Sequence, residues 1–183
     1  MGKLVLITGG VRSGKSSWAL AEANKLSSDN KIFIATALPF DDEMRLRIDN
    51  HQKERGKEWQ TVEAPENLAE VITIVDPEAI IVVDCCTVWL GNIWHRYSAD
   101  VNEMGNATDE LLNALRSWQE RSRGVLFVIS NEVGLGIVPH DAGIRLYRDT
   151  IGLLNQRIAR IADEVYLCVS GIAVPVKNQI RGV

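Results

Sequence analysis

The chain has 183 residues, of which 46% are hydrophobic and 24% are charged, and it carries a formal net charge of −4. This size and composition predict one globular domain over residues 1–183, and the acidic balance argues against a non-specific nucleic-acid-binding protein. No apolar stretch approaches the ~20 residues of a bilayer span, and the apolar run at residues 4–7 is too short for a signal peptide, so we expect a cytoplasmic protein without a membrane span.

Short aliphatic runs alternate with helical patterns along the chain. Strands are predicted at residues 3–8, 31–37, 79–84, 125–130 and 165–170, and residues 58–63 could add a short one. Helices are predicted at residues 15–26, 42–55, 65–74, 108–121 and 144–162, while 91–107 is predicted to be a loop with helical pieces. Nearly continuous apolar strands are typical of a parallel sheet that is covered on both faces. The alternation therefore predicts a three-layer α/β fold with a mostly parallel central sheet.

The three cysteines, Cys85, Cys86 and Cys168, form neither a Cys-x-x-Cys pair nor a zinc-binding spacing. Two of them are adjacent, and they lie in apolar runs. We therefore expect buried free thiols in a reducing compartment.

The first predicted strand runs into a loop with the pattern Gly-x-x-x-x-Gly-Lys-Ser. Its glycines allow the backbone to curl so that successive N–H groups point at phosphate oxygens, and the following helix adds its positive N-terminal end. Lys15 would reach the β- and γ-phosphates from a solvent-facing position, and the Ser16 hydroxyl would join a Mg²⁺ shell. The context of strand, loop and helix predicts a P-loop NTPase-type fold that binds ATP or GTP. The loop residues are Gly9, Gly10, Val11, Arg12, Ser13, Gly14, Lys15 and Ser16.

A magnesium site also needs a carboxylate at the end of a neighbouring strand, and Asp84 ends the apolar run 80–83. A carboxylate at the end of a buried strand is costly to desolvate unless it is paired. Asp84 is therefore a candidate magnesium ligand together with Ser16. The alternative is that Asp84 caps the segment that follows it.

The second predicted helix carries His51, with Arg47 one turn before it and Arg55 one turn after it. An imidazole between two guanidinium groups on one stripe is well suited to meeting a triphosphate. Periodicity alone favours a solvated, charged helix with an incidental histidine, and both interpretations stay open on that basis. His95 and His140 lie in polar segments and are predicted to be surface residues.

Further motifs resemble the bifunctional adenosylcobinamide kinase / adenosylcobinamide-phosphate guanylyltransferase family of cobalamin biosynthesis. The resemblance runs over nearly the whole chain, and the stretch Asn-Glu-Val-Gly-x-Gly-Ile-Val-Pro at residues 131–139 is far more specific than a P-loop. The matching segments are 8–16, 34–36, 41–44, 47–48 with His51, 59–63, 130–139, 148–152, 155–156, 162–165 and 169–171.

This resemblance implies two linked reactions. A nucleoside triphosphate, ATP or GTP, phosphorylates the hydroxyl of adenosylcobinamide, and GMP from GTP is then joined to that phosphate through a guanylyl-histidine. The residue that matches this histidine is His51, which would attack as the neutral imidazole. The implied partners are a corrinoid, nucleoside triphosphates with Mg²⁺, and two further copies of the chain in a homotrimer.

The same matching implies nucleotide contacts beyond the phosphate loop. Some relatives carry His-His where this chain has Asn50-His51, and some carry glutamate where it has Asp84. The implied contacts are Ala35, Thr36, Ala37, Gln52, Lys53, Glu54, Arg55, Glu63 and Asp84.

Two other functions stay open. One is a P-loop small-molecule kinase without guanylyl transfer, in which His51 only contacts phosphate. The other is a nucleotide-binding regulatory module without turnover. A GTPase switch is disfavoured, because the guanine-reading Asn-Lys-x-Asp motif is absent from the sequence.

Overall fold

The centre of the fold is a seven-stranded sheet with the order β3-β2-β4-β5-β1-β6-β7. The computed structural model describes residues 1–39, 42, 45, 46 and 55–178. All neighbouring strands pair in parallel except β6 and β7, which are antiparallel. The strands are β1 (Lys3–Gly9), β2 (Lys31–Ala35), β3 (Trp59–Glu63), β4 (Ile80–Asp84), β5 (Val125–Ile129), β6 (Glu164–Val169) and β7 (Ile172–Asn178).

Helices cover both faces of the sheet. They are α1 (Lys15–Asn24), α2 (Leu68–Ile74), α3 (Cys86–Arg96), α4 (Val101–Arg121) and α5 (Ala142–Ile161). Alternate strand residues point to opposite faces, so the sheet contributes to two cores. In one core, Leu4 and Ile81 pack with α2, α3, α4 and α5. In the other core, Val5 and Val82 pack with α1.

The three-layer α/β prediction is confirmed, and each predicted strand is present with bounds that differ by one or two residues. Four of the predicted helices are present, and the one predicted at 65–74 extends only over Leu68–Ile74. The predicted helix 42–55 lies largely outside the described residues. The three cysteines are buried free thiols, as expected. Within the described part of the chain, none of the helices could cross a bilayer.

Residues 91–107, predicted to be a loop with helical pieces, are helical except at 97–100, because α3 continues to Arg96 and α4 begins at Val101. The cause is local capping chemistry. The Asp100 carboxylate accepts hydrogen bonds from the N–H groups of Asn102, at 2.8 Å, and Glu103, at 3.2 Å. These N–H groups have no partner inside the helix, so the cap starts α4 seven residues before the predicted position.

A further strand, β7, was not predicted from the sequence; it pairs only with β6 at the edge of the sheet. Pro175 lies within it, which is tolerated in an edge strand because one side of the strand makes no ladder. Lys177 extends from β7 to the end of α5. Its ammonium donates to the carbonyls of Ala159, at 3.0 Å, and Ala162, at 2.5 Å, and thereby caps that helix.

Asp100→Ala should lower the free energy of unfolding by about 1 kcal/mol, because it removes the side-chain cap of α4. Urea unfolding followed by circular dichroism measures this change. Glu120→Ala is the matched control, since it removes an exposed carboxylate from the last turn of the same helix. Equal midpoints for Asp100→Ala and the unmodified protein would contradict the capping role.

Candidate nucleotide site

The phosphate loop can close only because two of its residues are glycines. Gly9 and Gly14 have φ angles of +148° and +92°, which side-chain-bearing residues rarely adopt. A Cβ atom on Gly9 would lie 2.3 Å from the carbonyl oxygen of Cys168 in β6. A Cβ atom on Gly14 would lie 3.0 Å from Gly171 Cα. The loop therefore packs directly against the β6–β7 hairpin.

Lys15, at the first position of α1, turns back into the loop. Its ammonium donates to the Gly10 carbonyl, at 2.6 Å, and to Ser13 Oγ, at 3.4 Å. The side chain is buried, so the expectation that Lys15 faces solvent is wrong. The physical reason is that an ammonium at this position satisfies a loop carbonyl that α1 cannot reach.

Burial lowers the pKa of the Lys15 ammonium, and Cys85 and Asp84 oppose this shift. The Cys85 thiol is itself desolvated, which raises its pKa to about 12, so it is neutral at physiological pH. Asp84 is therefore the negative charge that favours the ammonium form of Lys15. This electrostatic coupling joins the end of β4 to the phosphate loop.

Several residues that are predicted to contact nucleotide lie in register at the carboxyl edge of the sheet. Paired positions run from Glu63 in β3 to Ala35 in β2, then to Asp84 in β4. They continue from Asp84 to Ile129 in β5 and from Ile129 to Ile7 in β1. The sequence predicted that Asp84 ends a strand neighbouring the phosphate loop. In the sheet, β5 lies between β4, which carries Asp84, and β1, which leads into that loop.

Thr36 lies just beyond β2, and its hydroxyl binds the chain that leaves β4. It donates to the carbonyl of Cys85, at 2.9 Å, and accepts from the N–H of Cys85, at 2.8 Å. Asn92 of α3 donates to the Thr36 carbonyl at 2.8 Å. Thr36 is completely buried. The residue predicted to contact nucleotide therefore also holds the backbone beside Asp84.

Arg55 is buried as well, and its guanidinium carbon lies 3.8 Å from the centre of the Phe33 ring in β2. Burial lowers the pKa of the guanidinium, and the Asp84 carboxylate opposes that shift. Arg55 therefore packs onto the sheet as a second cation beside Asp84, and not on an exposed stripe. His51, Gln52, Lys53 and Glu54, together with Arg47, lie outside the described residues, so their roles stay predictions.

The residues present fit a small, hard cation bound mainly by substrate oxygens. Ser16 is half-buried in the first turn of α1, and Asp84 is half-buried at the end of β4. Among the described residues there is no group of three or more His, Cys, Asp or Glu side chains that could hold a metal. Magnesium usually takes one or two protein carboxylates and completes its shell with phosphates and water.

The segment after β5 contacts the phosphate loop, although the site residues predicted from the sequence include none of it. The N–H of Ser130 donates to the Ile7 carbonyl, and the N–H of Glu132 donates to the Gly9 carbonyl, both at 2.9 Å. The signal that could have found this segment is its specific motif at residues 131–139. His95 and His140 are exposed, as predicted.

A cavity of about 490 Å³ lies elsewhere, among α2, α3 and α4. Its walls include Glu66, Glu70, Arg96 and Glu103, and none of its lining residues is a predicted site residue. The cavity is therefore separate from the phosphate loop.

Comparison with known proteins gives close relatives. Residues 5–176 match the profile of the family described as cobinamide kinase / cobinamide phosphate guanyltransferase. The bifunctional adenosylcobalamin biosynthesis protein CobU of Escherichia coli K12 is 36% identical over 182 residues, which covers 95% of this chain and 99% of the relative. The bifunctional protein CobP of Pseudomonas aeruginosa is 36% identical over 176 residues, covering 95% of this chain and 97% of CobP.

Solved structures share the fold at low sequence identity. The RadB recombinase has a TM-score of 0.58 at 15% identity, covering 99% of this chain and 83% of that chain. The ATPase EscN of the type III secretion system of enteropathogenic E. coli has a TM-score of 0.63 at 12% identity, covering 92% of this chain and 43% of EscN. These likenesses confirm a P-loop NTPase-type fold.

Lys15→Ala should slow phosphoryl transfer from a nucleoside triphosphate by roughly 10²–10³-fold, because one charge-assisted phosphate contact is lost in the transition state. Steady-state kinetics at saturating nucleotide measures the loss. Lys25→Ala, which removes an exposed lysine just beyond the other end of α1, should leave the rate unchanged. A Lys15→Ala protein with near-normal turnover would remove Lys15 from the reaction.

Proposed function

The chain belongs to the cobinamide kinase / cobinamide phosphate guanyltransferase family, and we propose that it phosphorylates adenosylcobinamide and then joins GMP to that phosphate. The observation that carries the proposal is the family match over residues 5–176, which includes both the phosphate loop and the segment packed against it. The product would be adenosyl-GDP-cobinamide.

In the kinase step, the phosphate loop would bind the triphosphate through its N–H groups and Lys15. The acceptor hydroxyl attacks the γ-phosphorus, the bond from that phosphorus to the bridging oxygen breaks, and the nucleoside diphosphate leaves. A Mg²⁺ ion bound by Ser16 and Asp84 would neutralise charge on the β- and γ-phosphates. Lys15 would stay near those oxygens as negative charge moves onto the leaving diphosphate.

In the guanylyl step, we assign the nucleophile to His51. Its neutral imidazole attacks the α-phosphorus of GTP, and pyrophosphate leaves as the P–N bond forms. The phosphate of adenosylcobinamide phosphate then attacks the same phosphorus, and the P–N bond breaks to regenerate the imidazole. This assignment rests on the family resemblance of the segment that carries His51.

The proposal that the protein assembles as a homotrimer rests on the same family resemblance. A cytoplasmic location is supported by the three buried free thiols.

His51→Asn should keep kinase activity but lose guanylyl transfer, because asparagine is polar but cannot form the P–N bond. Incubation with α-labelled GTP, followed by denaturation, measures covalent label in the protein. The wild-type adduct should be labile in acid and stable in base, since a phosphoramidate hydrolyses once its nitrogen is protonated. Labelling should fall below about pH 6, where the attacking imidazole becomes protonated.

The matched control is His95→Asn, which changes an exposed histidine of α3. It should incorporate as much label as the wild type. Equal incorporation into His51→Asn would assign the intermediate to another residue. A wild-type protein that phosphorylates adenosylcobinamide but never retains label would instead be a kinase without guanylyl transfer.

Asp84→Asn should raise the Mg²⁺ concentration needed for half-maximal activity in both steps, because a neutral amide is a poorer ligand for a hard cation. A magnesium titration of each reaction measures the change. Asp84→Glu keeps the charge and is expected to have the smaller effect. Both variants need a thermal melt as a folding control, since Lys15 and Arg55 are buried beside this carboxylate. Superimposable titrations for Asp84→Asn and wild type would exclude Asp84 from the metal site.

A further inference from the structure

The segment after β5 ends in a loop whose large apolar side chains point into solvent. We call residues 134–140 the rim loop. Within it, Leu135 is 87% exposed, Ile137 96% and Val138 66%. Apolar side chains scattered singly over a surface need no explanation, but a contiguous apolar group of this kind marks a binding surface.

The rim loop is held in place by two arginines from the first turns of α5. Arg148 donates to the carbonyls of Ile137, at 3.1 Å, and Gly134, at 2.5 Å. Arg145 donates to the carbonyls of Pro139, at 2.9 Å, and His140, at 2.5 Å. These bonds fix the backbone while the side chains stay outside. A surface that is ordered in advance binds a ligand with a smaller entropic cost.

The position of the rim loop relates it to the phosphate loop. Glu132, two residues before it, donates its N–H to the Gly9 carbonyl at 2.9 Å. The Glu132 carboxylate also accepts a hydrogen bond from the N–H of Gly134, which ties the start of the rim loop to the same anchor. The apolar side chains therefore lie at the carboxyl edge of the sheet, on the segment that packs against the phosphate loop.

We propose that Leu135, Ile137 and Val138 form the apolar contact for the macrocycle of the corrinoid acceptor. This inference rests on the proposed function and assigns part of the acceptor site. The acceptor must bring a hydroxyl to the γ-phosphate, while its ring is far too large to enter the phosphate loop. The ring must consequently rest on a surface beside that loop. Its periphery carries methyl groups and the methylene stems of amide side chains, and apolar side chains on a fixed backbone can pack against these groups.

The cavity among α2, α3 and α4 is a weaker candidate for the acceptor. Four glutamates, Glu66, Glu70, Glu103 and Glu110, line it, and none of its lining residues belongs to the phosphate loop. A wall rich in carboxylates is a poor partner for methyl and methylene groups, and it would repel the phosphate that the acceptor carries after the kinase step. The rim loop, in contrast, offers apolar side chains on a segment that contacts the phosphate loop.

The test compares Leu135→Ser and Ile137→Ser with the wild type, using adenosylcobinamide as acceptor and saturating ATP. Each variant should raise the KM for adenosylcobinamide roughly tenfold, because it removes one large apolar contact. The kcat, the KM for ATP and the covalent label from α-labelled GTP should stay within about twofold of wild type. Ile74→Ser is the matched control, since Ile74 is 74% exposed at the end of α2 and is remote from the phosphate loop.

Two results would overturn the assignment. One is an unchanged KM for adenosylcobinamide in both variants. The other is a change in the mass of the assembly, measured by light scattering, which would identify the rim loop as a contact between copies of this chain. Failure of the proposed function gives a different result, since the wild type itself would then not phosphorylate adenosylcobinamide. In that case equilibrium dialysis with adenosylcobinamide decides, and equal binding by wild type and Ile137→Ser overturns the rim-loop assignment.

Discussion

Three backbone segments converge at Gly9, where β1 ends and the phosphate loop begins. On one side the Gly9 position lies so close to Cys168 of β6 that a Cβ atom would be 2.3 Å from its carbonyl oxygen. On the other side the Gly9 carbonyl accepts a hydrogen bond from Glu132 at 2.9 Å. This convergence requires glycine, and it makes the phosphate loop, the β6–β7 hairpin and the segment after β5 one packed unit. The position of the phosphate loop at this edge of the sheet depends on that unit.

Charge is concentrated at the same edge of the sheet. Lys15 and Arg55 are both buried, and the Asp84 carboxylate acts on the pKa of each. A buried cation is tolerable only near a counter-charge, so one carboxylate serves two cations from different segments. Removing Asp84 would therefore disturb these two cations as well as the proposed magnesium site. The Thr36 hydroxyl, which holds the backbone of Cys85, keeps this carboxylate at a fixed position relative to the end of β2.

The sequence was sufficient for the six parallel strands, because buried parallel strands are nearly continuous apolar runs with clear limits. It was sufficient for the phosphate loop too, since the motif stands between a strand and a helix. It failed at the end of α3, where Gly91 and Asn92 are poor helix formers, and at the start of α4, where polar residues resemble a loop. It also missed β7, whose mostly exposed positions give no clean alternation. The inward turn of Lys15 could not be predicted either, because its partner is a backbone carbonyl of the loop. The role of His51 rests on resemblance, as its segment lies outside the described residues.

Lys177 has a consequence for the opposite end of α5. That helix has 20 residues and extends about 30 Å at 1.5 Å per residue. Its last carbonyls are bound by Lys177, and the Asp141 carboxylate caps its N-terminus by accepting from the N–H of Ile144 at 2.9 Å. Caps at both termini reduce fraying, so we expect the terminal amides of α5 to exchange with solvent more slowly than those of an uncapped helix. Arg145 and Arg148 bind the rim loop to the first turns of this helix, so an opening of those turns would also release the rim loop.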